Sequence, residues 1–397
     1  MSRVLKSAFT ILLLLVMVSS FAVPAMAAQE PVVADGAIVA EGNPIPYGEI
    51  SFEYVAPAYA SDGVVYHDTV EAAAAELRSA MEQRQTSVVI GIRADDDFQN
   101  KVKAVVDGAF AHTGVPTQGD YLYRQFRKWS AKGAPVVYNP SLQTYEIAIP
   151  FEIEYYTNAA QEKVVDAAVK QLLDDLNVYQ ASNYEKVCAI YDYMCDNITY
   201  DFANLEDESY YLKYTAYAAL IDKTSVCQGY ANLFYRLALE LGVDARIIGG
   251  IGNGGGHAWN IVRLNGRYYN LDSTWDAGTA NHNYSYFLRC TANFGDHHRD
   301  AEFSSAEFNA AYPMSDTDYD GSVADPADLA GEIDGKTGLT DGDAVYLLRH
   351  ILFPSVFFVD PGIDLDFDGD GIVLDTDAVY LLRHVLFPQA FPLYPNK

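Results

Sequence analysis

Two adjacent residues constrain the middle of this chain more than any others: Asn265-Gly266 separates the strand-like segments His257–Leu264 and Arg267–Leu271. Asn-Gly between two such segments is the strongest short-range signal for a two-residue hairpin, because the turn it forms needs positive φ at both central positions. A tight turn pins the register, so the residue that ends the second strand returns beside the beginning of the first. Those two positions are Asp272 and His257. Upstream, Thr224-Ser225-Val226 leads into a helix that opens at Cys227 and runs to about Leu241, with Gly242 in the usual closing position. Ala245–Ile251 is a further strand-like segment between that helix and the hairpin.

The residue types at these positions matter. The first turn of a helix exposes backbone N–H groups and the positive end of the dipole, which favour negative charge. A thiolate is the reactive form of cysteine, so Cys227 is placed to be a nucleophile. Gly254-Gly255-Gly256 precedes His257 and allows close backbone approach. If Asp272 accepts from one imidazole nitrogen, the other faces the thiol, the general pattern of nucleophile, base and orienting group. Taken singly, a cysteine at a helix start is more often structural, a lone histidine is a satisfied polar group, and an aspartate at a strand end is a turn residue. Their joint placement on helix, strand and adjacent strand points to catalysis.

Three blocks carry a resemblance: Ser225-Val226-Cys227-Gln228-Gly229-Tyr230-Ala231, His257-Ala258-Trp259-Asn260 and Asp272-Ser273-Thr274-Trp275-Asp276. In order and spacing they resemble the signature blocks of bacterial transglutaminase-like domains, over roughly residues 160 to 290, with Tyr200-Asp201 and Thr215-Ala216-Tyr217 included. The resemblance implies an α+β fold with a papain-like core, a Cys helix packed on an antiparallel sheet. It also implies Cys227 as nucleophile, His257 as base and Asp272 as orienting carboxylate, with no cofactor for catalysis. Acyl transfer further needs an oxyanion site. The N–H of Cys227 is one donor, and Tyr200 sits where related enzymes place an aromatic donor, although a core role suits a buried Tyr equally. Trp259 and Trp275 are expected to wall the cleft. The leading reading is a peptidase or amidase acting on protein or peptide substrates, its thioester resolved by water. Resolution by a lysine amine would make a crosslinking transglutaminase, and a non-catalytic binding or structural component is the third reading.

The flanks add context. Arg3 and Lys6, the apolar run Phe9–Val18 and Ala25-Met26-Ala27 form an export signal over residues 1–27, so the mature chain is expected to begin near Ala28 and to work outside the cell, free or in a cell-surface complex. The apolar run is too short for a confident membrane span, and no later stretch reaches spanning length. A formal net charge of -28 argues against nucleic acid and anionic lipid as partners, because no basic surplus exists to neutralise phosphates. Four cysteines in an exported chain allow two disulfides. Cys188 and Cys195, however, lie two turns apart on one helix, roughly 10 Å along its axis, and both are expected to be buried small hydrophobes. Residues 28–157 are expected to be an α/β extension of unknown role. A loose leader or edge segment to about residue 60 precedes helices over 69–85 and 97–111 and strands over 87–93 and 144–155, where Pro150 marks an edge or a bulge. The catalytic domain, 158–312, begins with an amphipathic helix to Leu176, a helix opened by the capping box Ser182–Glu185, and a short helix over 215–222.

The C-terminal part, 313–397, contains a duplication: Ala344–Pro354 recurs as Ala378–Pro388 with only Ile351 against Val385 differing. Before the second copy, Asp366, Asp368, Asp370 and Asp377 occupy positions one, three, five and twelve of a calcium loop, with the carbonyl of Ile372 at seven. The twelfth ligand is Asp where an EF-hand has Glu. A duplicated calcium loop and helix resembles a dockerin. That implies a small all-α module holding structural Ca2+ and binding a cohesin-like module on a scaffold protein, in a cellulosome-like, polysaccharide-degrading setting. Asp316, Asp318 and Asp320 start a similar pattern, whose twelfth position is Ala327. Either Asp328 serves one residue late or an insertion lets Asp343 close the loop, and the repeat alignment favours Asp343. From Met314 to Lys397 there are 15 Asp and one Glu against two Lys and two Arg; the regular spacing separates this from a merely acidic tail.

Overall fold

A computed structural model describes residues 49–54, 63–95, 98–179, 181–279, 284–321, 333–334, 339–354, 357, 359, 363–388 and 390–393. The expected export signal, Ala327 and Asp328 lie outside these residues.

The N-terminal part comprises β1 (Glu49–Tyr54), β2 (Tyr66–His67), α1 (Val70–Glu82), β3 (Ser87–Ala94), α2 (Phe98–Ala109), the short α3 (Asp120–Tyr123), β4 (Phe126–Asn139) and β5 (Thr144–Tyr155). The Thr69 side chain caps α1 by accepting from Ala72 N at 3.2 Å. Leu77 and Met81 of α1 and Val102 and Val105 of α2 pack with Ile90, Ile92, Ile147 and Ile149. The sheet order is β1-β4-β5-β3-β2. β5 is therefore the middle strand, and of the two readings of Pro150 the bulge is the one observed. Ser130 pairs with Glu152 and Val136 with Ile147, so the β4–β5 ladder is irregular opposite Pro150, where proline has no N–H to give. β4 itself escaped the sequence analysis: Phe126–Asn139 carries Gly133 and Pro135 and shows only weak alternation.

The middle of the chain comprises α4 (Ala159–Leu176), α5 (Asn183–Asn197), β6 (Thr199–Tyr200), β7 (Thr224–Ser225), α6 (Cys227–Glu240), β8 (Ala245–Gly252), β9 (Gly255–Leu264), β10 (Arg267–Leu271), α7 (Ser273–Asp276), β11 (His297–Arg299) and α8 (Ala306–Ala311). Capping boxes open both α4, through Asn158 and Gln161, and α5, through Ser182 and Glu185. The short helix expected over 215–222 is a single π-helical turn, Ala218–Asp222. Every residue of α6 from Cys227 to Leu239 is buried. A helix enclosed on all sides is a core helix, and α6 is the axis of this half. Its sheet runs β10-β9-β8-β11, all antiparallel. Asn265 and Gly266 take φ of 52° and 72° in the β9–β10 turn, and Arg267 pairs with Leu264. All four cysteines are free thiols; Cys195 is buried as expected, whereas Cys188 is only half-buried.

Residues 112–125 bind the extension to this core. Asp120 grips the Arg246 guanidinium with both oxygens, at 2.7 and 2.8 Å, and accepts from Ile247 N at 2.8 Å. His112 reaches Tyr235 of α6 at 3.1 Å and Asp244 at 3.0 Å.

The C-terminal repeat forms α9 (Asp341–Leu352) and α10 (Asp375–Leu386), which share a small core of Ala344, Leu347, Ala378 and Leu381 with Ile333 and Phe367. No helix among the described residues is long and apolar enough to cross a membrane.

Removing one partner of a buried ion pair strands the other, which typically costs about 3–5 kcal/mol. Asp120→Asn is therefore expected to destabilise the fold by roughly that amount, measured by urea denaturation at pH 7. Burial alone would raise the Asp120 pKa, but the Arg246 charge outweighs it and holds it below the ordinary 3.8. The contribution is thus present above pH 3.8 and is lost as pH falls through the folded value, so the gap between variant and parent should narrow in acid.

Candidate active site

The cysteine is positioned from its N-terminal side. β6 and β7 run parallel with Tyr200 opposite Ser225, two residues before Cys227. The Ser225 hydroxyl donates to Lys213 O at 2.6 Å, and Val226 N donates to the same carbonyl at 3.1 Å. Lys213 is itself buried and donates to the carbonyls of Asn204, Leu205 and Asp207 at 2.7, 2.9 and 2.9 Å, so all three of its protons hold the preceding loop. Gly229 must be glycine: a Cβ there would sit 1.8 Å from Ser225 Oγ and 2.8 Å from Thr215 O. Gln228 donates to Arg124 O at 3.1 Å, tying the extension to the residue beside Cys227. No side chain caps α6, so its first turn keeps its electropositive end for Cys227.

The histidine and aspartate arrive on the hairpin. Asn260 donates to Ala231 O at 3.0 Å and to Arg246 O at 3.3 Å, fastening β9 to α6 and to β8. His257 Nε2 lies 2.7 Å from Asp272 Oδ2, which leaves Nδ1 as the nitrogen available to the Cys227 thiol, close enough for the sulfur to act on the imidazole electrostatically. All three residues are at most 3 % exposed. Asp272 is also the N-cap of α7; its Oδ1 accepts from Thr274 N at 2.9 Å and Trp275 N at 3.4 Å. Trp275 stacks on the His257 ring at 4.9 Å, and a Cβ on Gly252 would come within 3.0 Å of the same two rings. The second aspartate of the block, Asp276, accepts from Tyr191 at 2.7 Å, Ser285 N at 3.0 Å and Tyr286 N at 2.9 Å, shaping the loop that follows.

Burial alone would lower the pKa of His257. The Asp272 charge and then the Cys227 sulfur outweigh it and raise the value to about 10. Burial likewise works against ionisation of Asp272, but His257 keeps its carboxyl well below the usual carboxylate range. At neutral pH the imidazole is thus a cation beside the sulfur, ready to deliver a proton. Because the folded value lies above the unfolded 6.5, the pairing stabilises the fold fully below pH 6.5 and ceases to do so as pH rises through about 10.

A fourth residue, His297, was missed by the sequence analysis. Its Nε2 stands 3.1 Å from the same Asp272 Oδ2. Phe294 stacks on its ring at 3.9 Å, and Trp275 and Trp259 lie at 4.2 and 4.9 Å. Burial keeps its pKa below 6.5, so it is a neutral donor. It sits 25 residues beyond Asp272 on a three-residue strand outside every motif; the doubled His297-His298 in a chain with eight histidines was its only signal. Tyr200, the expected oxyanion donor, has a buried hydroxyl and a ring packed on Phe202 at 5.0 Å.

Residues 170–273, which contain Cys227, His257 and Asp272, match the Transglutaminase-like superfamily. The chain carries a transglutaminase-like domain. Kyphoscoliosis peptidase from Mus musculus is 31% identical over 132 residues, 30% of this chain and 20% of the relative, and that from Homo sapiens is 30% identical over 131 residues with the same coverage. The chain thus spans about a fifth of the length of the curated relatives it matches. Among solved structures, one of a TGase covers 54% of this chain and 60% of its own at 17% identity and a TM-score of 0.28. A candidate cysteine protease from Cytophaga hutchinsonii covers 33% and 53% at 17% identity and a TM-score of 0.23.

Beyond the transglutaminase-like domain, Asp318, one of the three aspartates expected to start the first calcium loop, has protein partners. Asp318 accepts from Arg289 at 2.8 Å, Cys290 N at 2.9 Å and Asn293 at 3.0 Å, so protein donors occupy its carboxylate. Burial would raise its pKa, but the Cys290 N–H and Arg289 hold it at about 2. Ser315 N donates to Tyr268 O at 2.9 Å and Tyr319 N to Leu288 O at 3.0 Å, so the stretch holding Asp316, Asp318 and Asp320 is fastened to the middle part of the chain. Asp343 instead accepts from Asp334 N at 3.1 Å, as Asp377 does from Asp368 N at 3.3 Å. In the sequence, Glu332, Asp334 and Lys336 stand 34 residues before Asp366, Asp368 and Asp370, the offset of the repeat. A lysine in place of the third carboxylate opposes a cation. In the second loop Asp366, Asp368 and Asp370 bring carboxylate oxygens within 4.8 Å of one another. Asp377 accepts from Leu374 N at 2.9 Å and Ile372 N donates to Asp370 at 2.8 Å.

Partners that orient a functional histidine from outside are typically worth about 10–100-fold. His297→Phe keeps the aromatic packing and removes the donor, and should slow alkylation of Cys227 by about ten-fold or more. His297→Gln restores an N–H near the position of Nε2 and should stay within about three-fold of the parent. Intact-mass kinetics with iodoacetamide between pH 5 and 9 measure both.

Proposed function

We propose that the chain is a secreted cysteine acyl-transfer enzyme that hydrolyses amide bonds in protein or peptide substrates and is tethered to an extracellular scaffold by its C-terminal repeat. The observation that carries the enzymatic part is the burial of Cys227, His257 and Asp272 together, with the imidazole held on the carboxylate at 2.7 Å and within electrostatic reach of the sulfur. Cys227 Sγ attacks the substrate carbonyl carbon, and the helix N-terminus stabilises the oxyanion that forms; the Tyr200 hydroxyl is the side-chain candidate for a second donor. His257 passes its proton to the leaving amine as the C–N bond breaks, leaving a thioester and a free amine. Water then attacks the thioester while His257 takes its proton, releasing the acid and restoring the thiol. Asp272 holds the ring so that one nitrogen always faces the sulfur. The word peptidase in the names of the mouse and human relatives supports water as the acceptor.

For the C-terminal part, three carboxylates at positions one, three and five supply hard oxygen donors of the kind Ca2+ takes. Asp377 and the Ile372 carbonyl would complete the set, and the ion would brace the second loop. Exposed apolar side chains repeat on both helices, Val345, Leu348 and Leu352 on α9 and Val379, Leu382 and Leu386 on α10, each followed by an exposed phenylalanine at the helix end, Phe353 and Phe387. Such paired faces support docking on a cohesin-like module, which would place the enzyme in a cellulosome-like, polysaccharide-degrading assembly.

Cys227→Ala should abolish peptide hydrolysis while leaving the circular dichroism spectrum unchanged. Mass spectrometry of a peptide library incubated with and without a primary amine reports the acceptor: free acids support hydrolysis, and predominant amine adducts would replace it with crosslinking. Full activity in the alanine variant would overturn the triad. EDTA should accelerate proteolysis within residues 339–393 and leave the transglutaminase-like domain protected, measured by limited digestion with and without Ca2+; equal digestion in both would remove calcium from the proposal.

A further inference from the structure

Trp259 and His297, which surround the Asp272–His257 pair, also line a cavity of about 310 Å³. Its other walls include Phe294, Thr291, Ser304 and Arg299. Arg299 is its one arginine. One guanidinium nitrogen, Nη2, donates to Asn270 Oδ1 at 2.8 Å and touches Met314 Sδ at 3.1 Å. Asn270 Oδ1 is held in turn by Trp259 Nε1 at 3.3 Å, so the guanidinium is anchored to the floor of the hairpin sheet.

Among the described residues no carboxylate pairs with Arg299. Three arginines enclosed by this fold do find carboxylates: Arg84 pairs with Glu162 at 3.1 Å, Arg236 with Asp166 and Glu240 at 2.9 Å, and Arg246 with Asp120 at 2.7 Å, whereas the part-buried Arg78 instead donates to the backbone carbonyls of Gly108 and Ala109. The chain has 54 acidic residues to draw on, so the missing partner is not for want of acids. Burial alone pulls the Arg299 pKa down, to about 10, with no neighbouring charge to restore it. Enclosing a guanidinium without a counter-charge is unfavourable, and the guanidinium has five N–H donors, of which these two contacts engage one nitrogen. An anion entering the cavity would meet a fixed, under-used planar donor.

We infer that this cavity is a binding site for a small organic carboxylate, its carboxyl group on Arg299 and its apolar body against Trp259 and Phe294. A planar guanidinium matches a carboxylate in two parallel hydrogen bonds. One arginine balances one negative charge, whereas a phosphate dianion would leave charge uncompensated. The hydroxyl of Thr291 adds a neutral donor, while that of Ser304 is given to Asp300 O at 3.2 Å, and the two aromatic walls select an organic acid over an inorganic ion. The carboxylate belongs either to a free small acid or to the end of a polypeptide chain. Binding at this site does not depend on turnover at Cys227.

Isothermal titration of the full chain tests it, using phenylacetate, phenylacetamide, phosphate, and a Gly-Gly-Gly-Phe peptide with a free or an amidated C-terminus. Saturable binding of phenylacetate or of the free-acid peptide is expected, with no binding of either amide. The tighter of the two acids identifies the source. Arg299→Met should weaken the acid by about ten-fold or more, in line with the loss of charged hydrogen bonds, and Arg299→Lys, which keeps the charge, should recover part of it. Absence of saturable binding by both acids overturns the inference, as does equal binding by the amides, tighter binding of phosphate, or unchanged affinity in a folded Arg299→Met protein. If the methionine variant fails to fold, the lysine variant decides: affinity equal to the parent's would show that the guanidinium fork is not the recognition element.

Discussion

The carboxylate of Asp272 is the interaction on which this structure turns. It is buried, and it takes four hydrogen bonds, two on each oxygen: Thr274 N and Trp275 N on Oδ1, His257 and His297 on Oδ2. A buried anion is tolerable only when its lone pairs are satisfied and a counter-charge lies close. Each donor comes from a different piece of architecture. His257 comes from β9, the amides from α7, and His297 from β11 at the far edge of the sheet. The same residue that orients the imidazole therefore also ties the hairpin to the outer strand and starts the following helix. Tyr191 of α5 adds a brace from behind, its single hydroxyl proton shared between Asp276 Oδ2 at 2.7 Å and Asp272 O at 2.8 Å.

On the sulfur side the construction is different. The placement of Cys227 rests on backbone and on close packing rather than on charge. A fully buried α6 cannot rotate without exposing apolar surface, and the strand pair β6–β7 delivers the chain to its first turn. Lys213 and Gly229 explain why this approach is tight: one organises the loop before the helix, the other leaves no room for a side chain. The extension then closes over this region with Asp120, His112 and the Gln228–Arg124 contact, so residues that carry no recognisable chemistry help to bury chemistry carried elsewhere. The cavity at Arg299 shares Trp259 and His297 with the site, and any occupant would touch the aromatic surround of Asp272.

The C-terminal repeat extends to its hydrogen bonds. His350 and His384 each donate from Nδ1 to a carbonyl seven residues on, Phe357 O at 2.6 Å and Phe391 O at 2.7 Å. Arg349 and Arg383 stand 5.6 Å over those same phenylalanine rings. With the two halves so alike, the Asp334–Asp343 and Asp368–Asp377 contacts must be equivalent. The loop motif beginning at Asp316 then falls outside the repeat, spent on fastening the chain to the transglutaminase-like domain.

Much of this was legible in the sequence because it is local. The capping box at Ser182, the Asn265-Gly266 turn, the helix opening at Cys227 and the exact duplication are short-range patterns whose physics lies within a few residues, and a turn of fixed length sets the register of everything it joins. From these the chain alone determined that a thiol, an imidazole and a carboxylate would lie on a helix and a hairpin. Only the tertiary structure decided that Pro150 would sit in the middle of a sheet, that Asp318 would be claimed by Arg289, and that His297 and Arg299 would stand behind the site. Those outcomes depend on which distant segments meet, and on burial removing the water that would otherwise satisfy each charge. No periodicity in the residues encodes that.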